Sequence, residues 1–165
     1  VKIAFIGGQK DHPTFFTLSV YFSGCDANPK CKGCHNPELH DPNFGFEMSV
    51  DDLIQTVLSK LQYMSLPVLA LVGGEPLASY NRDAVLALTK AVKERLPQTT
   101  IILFSWRTLE ELVEQDLLKY VEYVDEFVLG RFEITQKTDG FPSSKNQIYI
   151  SKQELQRRIG YDNRA

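Results

Sequence analysis

Pro67-Val68-Leu69-Ala70-Leu71-Val72-Gly73-Gly74-Glu75-Pro76 is the stretch that decides the fold. Residues 67–72 are an unbroken apolar run without polar alternation, the pattern of a strand buried on both faces of a parallel sheet. Gly-Gly-Glu-Pro ends that run at the carboxyl end of the strand, where open α/β folds place their ligand sites. Two glycines let a backbone edge approach a ligand closely, and a carboxylate beside the edge suits an ammonium group. The same four residues also make a tight strand-to-helix turn with a surface Glu. Taken alone, the turn is the simpler reading.

Helical patterns lie on both sides of this strand. Before it, Ser49 can cap a helix whose Val50, Leu53, Ile54, Val57, Leu58, Leu61 and Met64 share one face. After it, residues 82–96 read as a second helix with Val85, Leu88, Ala91 and Val92 inward, stopped by Pro97. Thr99 to Phe104 is another buried strand ending at Ser105. Thr108 and Glu111 form a capping box that opens a helix with Leu109, Leu112, Val113 and Leu117 on one face. Phe127 to Leu129 is a short strand closing at Gly130-Arg131-Phe132, and 147–151 is a candidate last strand. The basic end from Lys152 reads as a short helix or a fraying tail.

Towards the N-terminus, Lys2 to Ile6 is a first strand ending at Gly7-Gly8. Residues 9–14 are turn-like, with His12 expected on the surface of that loop. Thr17 to Phe22 is β-branched and aromatic, and it runs directly into a second motif. Alternating strands and helices predict a parallel α/β plan with right-handed crossovers. A full (β/α)8 barrel needs roughly 250 residues, and 165 are present. The expected fold is therefore α/β: one domain over 1–165, an open partial (β/α) barrel with a mostly parallel sheet.

The second motif spans 23–37, Ser23-Gly24-Cys25-Asp26-Ala27-Asn28-Pro29-Lys30-Cys31-Lys32-Gly33-Cys34-His35-Asn36-Pro37, and holds all three cysteines of the chain. Three thiolates can bind three irons of a [4Fe–4S] cluster and leave the fourth open. An open position is what a catalytic metal site keeps. An odd cysteine count in a domain of this size fits a disulfide framework poorly. A structural zinc site would need a fourth ligand. His35 is adjacent to Cys34 and badly placed to share its ion, whereas His40 can reach. On the cysteines alone, iron–sulfur and zinc both stay open. Beyond them, 35–48 is a long polar loop that Phe44 and Phe46 are expected to tuck onto the body. The polar stretch 133–147 is expected to be mobile in isolation.

Composition excludes several classes. A net charge of −3 gives no basic footprint for nucleic acid. No apolar run approaches the ~18 residues of a spanning helix. Unpaired cysteines without a visible export signal point to the reducing cytoplasm.

With the three-cysteine loop after one strand and Gly-Gly-Glu-Pro after the next buried one, the chain resembles the radical S-adenosylmethionine superfamily. Cys34-His35-Asn36-Pro37-Glu38, the run from Val124 to Phe132, and Ser143-Ser144-Lys145-Asn146-Gln147 are similar to the glycyl-radical activases of anaerobic ribonucleoside-triphosphate reductase. The resemblance covers about 15–150. It implies a radical S-adenosylmethionine type of partial barrel, with Cys25, Cys31 and Cys34 on a [4Fe–4S] cluster. S-adenosylmethionine would chelate the fourth iron through its amino and carboxylate groups. Gly33 and His35 would touch this cofactor, Gly73, Gly74 and Glu75 would hold its amino group, and Ser105 and Arg131 would meet its ribose or carboxylate. No catalytic residue is implied beyond the cluster and cofactor.

The implied reaction is one-electron cleavage of the sulfonium, with electrons from a flavodoxin-like or other low-potential reductant. The 5′-deoxyadenosyl radical so formed would take hydrogen from a glycine of the partner enzyme, the anaerobic ribonucleoside-triphosphate reductase. One departure stands out: the first cysteine gap is x5 where the family pattern has x3. Loop closure tolerates two extra residues at a fraction of a kcal/mol, by ~(3/2)RT ln n. The alternatives are an activase of another glycyl-radical enzyme, a small-molecule enzyme of the superfamily such as a deazapurine synthase, and a non-catalytic zinc module.

Overall fold

The computed structural model describes residues 1–162. Its strands are β1 (Lys2–Gln9), β2 (Thr17–Phe22), β3 (Phe46–Glu47), β4 (Val68–Gly73), β5 (Thr100–Ser105), β6 (Glu126–Leu129) and β7 (Ile148–Ser151). The helices are α1 (Val50–Leu61), α2 (Arg82–Arg95), α3 (Leu109–Glu114) and α4 (Lys152–Asp162). All the strands join one open sheet in the order β3-β1-β2-β4-β5-β6-β7.

The pairs β2–β4, β4–β5 and β5–β6 are parallel, as the buried runs predict. The pairs β1–β2, β1–β3 and β6–β7 are antiparallel, so the sheet is mixed. The link from residue 10 to 16 explains the first of these, being shorter than the crossover of a dozen or more residues that a parallel pair needs. β1 also runs through Gly7-Gly8 instead of stopping there. The rings of Phe5 and Phe16 lie where Cβ atoms would stand, at 2.6 and 2.4 Å respectively, so these glycines are packing positions within a strand.

Strand alternation sorts the side chains onto two faces. Leu18, Val20, Phe22, Leu69, Leu71, Ile101, Leu103, Phe127 and Leu129 pack beneath the helices, against Leu53, Val57, Leu61, Val85, Leu88, Val92 and Leu112. The opposite face carries a smaller apolar strip, Val68, Ala70, Ile102 and Val128, with Phe104 and Phe141 against it. On the β2 side this face turns polar, and Asp11 Oδ2 accepts hydrogen bonds from Ser19 Oγ at 2.6 Å and Tyr21 OH at 2.9 Å. Among the described residues, no helix side chain packs on this strip, and the site opens there.

Local signals set the helix starts. Ser49 Oγ accepts from Asp52 N at 3.0 Å, a cap worth about 1 kcal/mol. The Thr108–Glu111 capping box has both of its reciprocal bonds. Met64 packs against the core as its spacing predicts, but Val113 is exposed because α3 stops at Glu114 and Leu112 and Leu117 carry its burial. Phe44 and Phe46 are also exposed; Leu39, in a short turn over Pro37–His40, anchors that loop instead.

His12 departs from the surface position expected of it and is 8% exposed. Its Nδ1 accepts from the backbone N–H of Thr14 and Phe15, so Nε2 carries the proton and donates to Glu126 Oε1 at 2.9 Å. That bond ties the β1–β2 link to the start of β6. The stretch 133–147 contains a turn at Ile134–Gln136 and a bridge between Lys137 and Ser144, while Phe141 stacks edge-on with Phe104 and Tyr149. Among the described residues, no helix is long and apolar enough to cross a membrane.

Candidate functional site

The parallel register sets the site. Tyr21 pairs with Val72 and Phe22 with Gly73, so the cysteine loop and the Gly73-Gly74-Glu75 turn leave the sheet side by side. Ser105 ends β5 next to them and pairs with Leu129 of β6. A cavity of about 270 Å³ opens between these strand ends and is lined by Cys25, Cys31, Cys34, His35, His40, Gly73, Gly74 and Ser105.

The two motifs are joined through their backbones. Gly74 N donates to Phe22 O at 2.9 Å, and Glu75 N donates to Gly24 O at 2.7 Å. A Cβ on Gly74 would stand 2.1 Å from Gly24 O and 2.4 Å from Leu39 O. Gly73 sits at φ +116°, a region closed to most L side chains. The glycine pair therefore lets the β4 edge press against the cysteine loop while still facing the cavity. Asn81, buried at the start of α2, staples the same junction, with Nδ2 donating to Ser23 O and Glu75 O at 3.0 Å each.

All three cysteines are free thiols and half-buried. Burial raises the Cys25 thiol above its ordinary value, partly offset by the backbone N–H of Ala27. Among the described residues, no three His, Cys, Asp or Glu side chains converge on one point as ligands of a single ion would. Three unpaired soft donors spread around one cavity suit a polynuclear iron–sulfur cluster better than a closed tetrahedral zinc site, whose ligands must all lie within about 2.3 Å of one centre. The donor set fits the cluster.

Glu75 sits behind the cavity wall. Its carboxylate is fully buried and does not line the cavity. Oε2 accepts from Leu77 N at 3.0 Å and Ser105 Oγ at 2.8 Å, Oε1 accepts from Trp106 N at 2.9 Å, and Arg107 Nη1 lies 3.4 Å from Oε2. Burial pushes its pKa up to about 7, against the opposing pull of Arg107 and these hydrogen bonds. In this structure the Glu75 carboxylate is held by these internal partners.

Ser105 lines the cavity, but its hydroxyl proton is given to Glu75. Arg131 lies outside the cavity wall; its Nη2 donates to Pro29 O, and its guanidinium carbon is 5.4 Å from the centre of the Trp106 ring. Gly33 is also outside the wall, at φ +72° beneath Ile134. His35 is in the wall, with its ring 4.9 Å from Phe132.

Asp26, Asn81, Trp106 and Arg107 escaped the sequence reading. Arg107 is 3% exposed, and it clasps Asp26 through Nη1 to Oδ1 at 3.2 Å and Nη2 to Oδ2 at 2.5 Å. Burial would raise the Asp26 carboxyl, yet hydrogen bonds from Arg107 and Trp106 outweigh it and hold the group below its usual range. The one available signal was a cation two residues past a buried strand end.

Comparison with known proteins agrees with the cavity chemistry. Residues 16–150 match the family described as a 4Fe-4S single cluster domain. An anaerobic ribonucleoside-triphosphate reductase-activating protein of Vibrio cholerae serotype O1 is 31% identical over 134 residues, 79% of this chain and 84% of that protein. Proteins of the same name from Haemophilus influenzae and Enterobacteria phage T4 are 29% and 28% identical, covering 79% and 69% of this chain and 84% and 69% of their own lengths. No solved structure matches. The chain belongs to the 4Fe–4S single cluster domain family and, within it, to the reductase-activating proteins, which are oxidoreductase-type activating enzymes.

Proposed function

We propose that this protein cleaves S-adenosylmethionine reductively at a [4Fe–4S] cluster and thereby places a glycyl radical on an anaerobic ribonucleoside-triphosphate reductase. The observation that carries this reading is the shared cavity of three free thiols and the Gly73-Gly74 backbone edge. Cys25, Cys31 and Cys34 hold the cluster. Gly73 and Gly74 present main-chain atoms to the cofactor's amino group, and His35 and Ser105 complete the wall. Gly33, Glu75 and Arg131 act at one remove, through the loop and strand ends that they hold. The chemistry supplied when both groups are bound is one-electron cleavage of the sulfonium C–S bond, coupled to hydrogen removal from a glycine.

The open sheet suits a protein substrate. It behaves as a partial barrel whose uncovered face admits a polypeptide loop, whereas a small molecule would need fuller enclosure from water. The relatives' name supplies the partner, and a low-potential protein such as a flavodoxin supplies the electron.

Cofactor cleavage gives the test. Reconstituted protein with excess reductant and S-adenosylmethionine is expected to release methionine and 5′-deoxyadenosine in equal amounts, without any reductase present. Iron-loaded, reduced protein that yields neither product would overturn the reading.

A further inference from the structure

The spacer between the first two cysteines, residues 26–30, is held by a cluster of side chains that the proposed chemistry leaves unused. Asp26 Oδ1 accepts from Trp106 Nε1 at 2.8 Å, and both of its oxygens take the fork of Arg107. Arg107 is locked from behind, with Nε donating to Gln115 Oε1 at 2.7 Å and Nη1 at 3.4 Å from Glu75. Trp106 lies between two guanidinium groups, at 4.7 Å from Arg107 and 5.4 Å from Arg131. Arg131 then reaches over to Pro29 O, Lys30 Nζ donates to Cys25 O, and Ala27 is buried.

An ordinary surface ion pair contributes little. This one differs in three ways. The arginine is 3% exposed, its contact is a two-pronged charge-assisted fork, and it joins the residue after Cys25 to the carboxylate of the Gly-Gly-Glu-Pro turn. Trp106 and Arg107 lie on the β5–α3 link and Arg131 on the β6–β7 link, well away in sequence from the spacer.

We propose that Asp26, Trp106, Arg107 and Arg131 form a latch that orders the cysteine loop before metal arrives, so that Cys25 already faces the cavity with Cys31 and Cys34. These are positioning residues, and none of them is a cluster ligand. The inference rests on the cysteine loop being the cluster site proposed above. Its consequence is kinetic: an ordered loop binds iron and sulfide faster than one that must first be organised.

Trp106 is the only tryptophan in the chain and sits inside the latch, so it reports directly on it. The test compares full-length wild type, Asp26→Ala, Arg131→Ala and Asp26→Asn, all without metal. Acrylamide quenching of the tryptophan fluorescence is measured first. Growth of the visible iron–sulfur absorbance is then followed after addition of ferrous and ferric iron in equal amounts with sulfide, which balances the two ferrous and two ferric irons of the cluster. In Asp26→Ala, quenching is expected to rise and assembly to slow by about tenfold or more, because the substitution removes the acceptor of three hydrogen bonds and a single charge-assisted one is already worth about that factor. Final iron content should stay at the wild-type value, because the three cysteines are intact, while the thermal midpoint should fall because the buried Arg107 loses its fork partner. Asp26→Asn keeps one acceptor oxygen and should fall between; Arg131→Ala removes a second cation near the tryptophan ring and should also raise quenching. Wild-type quenching and assembly rates in Asp26→Ala and Arg131→Ala would overturn the latch alone. Failure of the wild type to take up iron would overturn the cluster reading, and the latch with it.

Discussion

Replacing any one of Cys25, Cys31 or Cys34 by Ala is expected to reduce iron from about four per chain, the [4Fe–4S] stoichiometry, to background. The three thiols are the soft donors of one cavity, and losing one leaves two irons of a cluster without a protein ligand where the intact site leaves one. His40→Ala is the matching control, because His40 lines the same cavity and is the one histidine placed to act as a fourth ligand. It should keep its iron and its visible absorbance. Iron analysis after anaerobic reconstitution decides the matter. Stoichiometric zinc with no iron uptake would replace the cluster by a structural metal site, and cluster loss in the His40 variant would identify a fourth protein ligand.

The second large effect is expected at Gly74. An alanine there puts a methyl within 2.1 and 2.4 Å of two backbone carbonyl oxygens, Gly24 O and Leu39 O. Neither oxygen is the end of a flexible side chain, so the loop carrying the cysteines must move off the β4 edge. Overpacking of this kind costs about 3 kcal/mol, which lowers the thermal midpoint by roughly 6–12 °C in a domain of this size. The bonds from Gly74 N to Phe22 O and from Glu75 N to Gly24 O would lengthen with that shift, so iron retention should fall as well. Gly140→Ala serves as the comparison. Its Cβ would meet only Thr138 Oγ1, at an ordinary 3.5 Å, and both stability and iron should match the wild type. Calorimetry of the metal-free proteins reads the first effect and iron analysis the second. A Gly74→Ala protein as stable as Gly140→Ala would mean that the two motifs do not touch.

What was legible in the sequence was local. The apolar run of β4, the stripe of α1 and the Thr108–Glu111 box each depend on neighbours within a few residues, and each forms as its pattern predicts. The grouping of the cysteine loop with Gly73-Gly74 followed from one further step, that parallel strands present their carboxyl ends on the same side. Environments that come from distant segments were not legible. His12 has the composition of a turn residue, but Glu126, on another strand, gives it a buried partner. Glu75 reads from the sequence either as an ammonium partner or as a surface carboxylate, and its burial under Ser105, Trp106 and Arg107 comes from the end of β5. Asp26 and Arg107 lie 81 residues apart, and no periodicity links them. Phe44 and Phe46 show the opposite error: apolar residues in a loop, expected to anchor it, that remain in solvent while Leu39 does so.

The central claim is that this protein makes a glycyl radical on an anaerobic ribonucleoside-triphosphate reductase. The direct measurement mixes reduced, cluster-loaded protein with S-adenosylmethionine and purified reductase under anaerobic conditions, then records the paramagnetic resonance spectrum of the reductase. The expected result is a glycyl-radical signal that appears only when all three components are present and is absent with the Cys34→Ala protein. A reductase that stays silent, while a pyruvate formate-lyase-like enzyme gains the signal under the same conditions, would contradict the account.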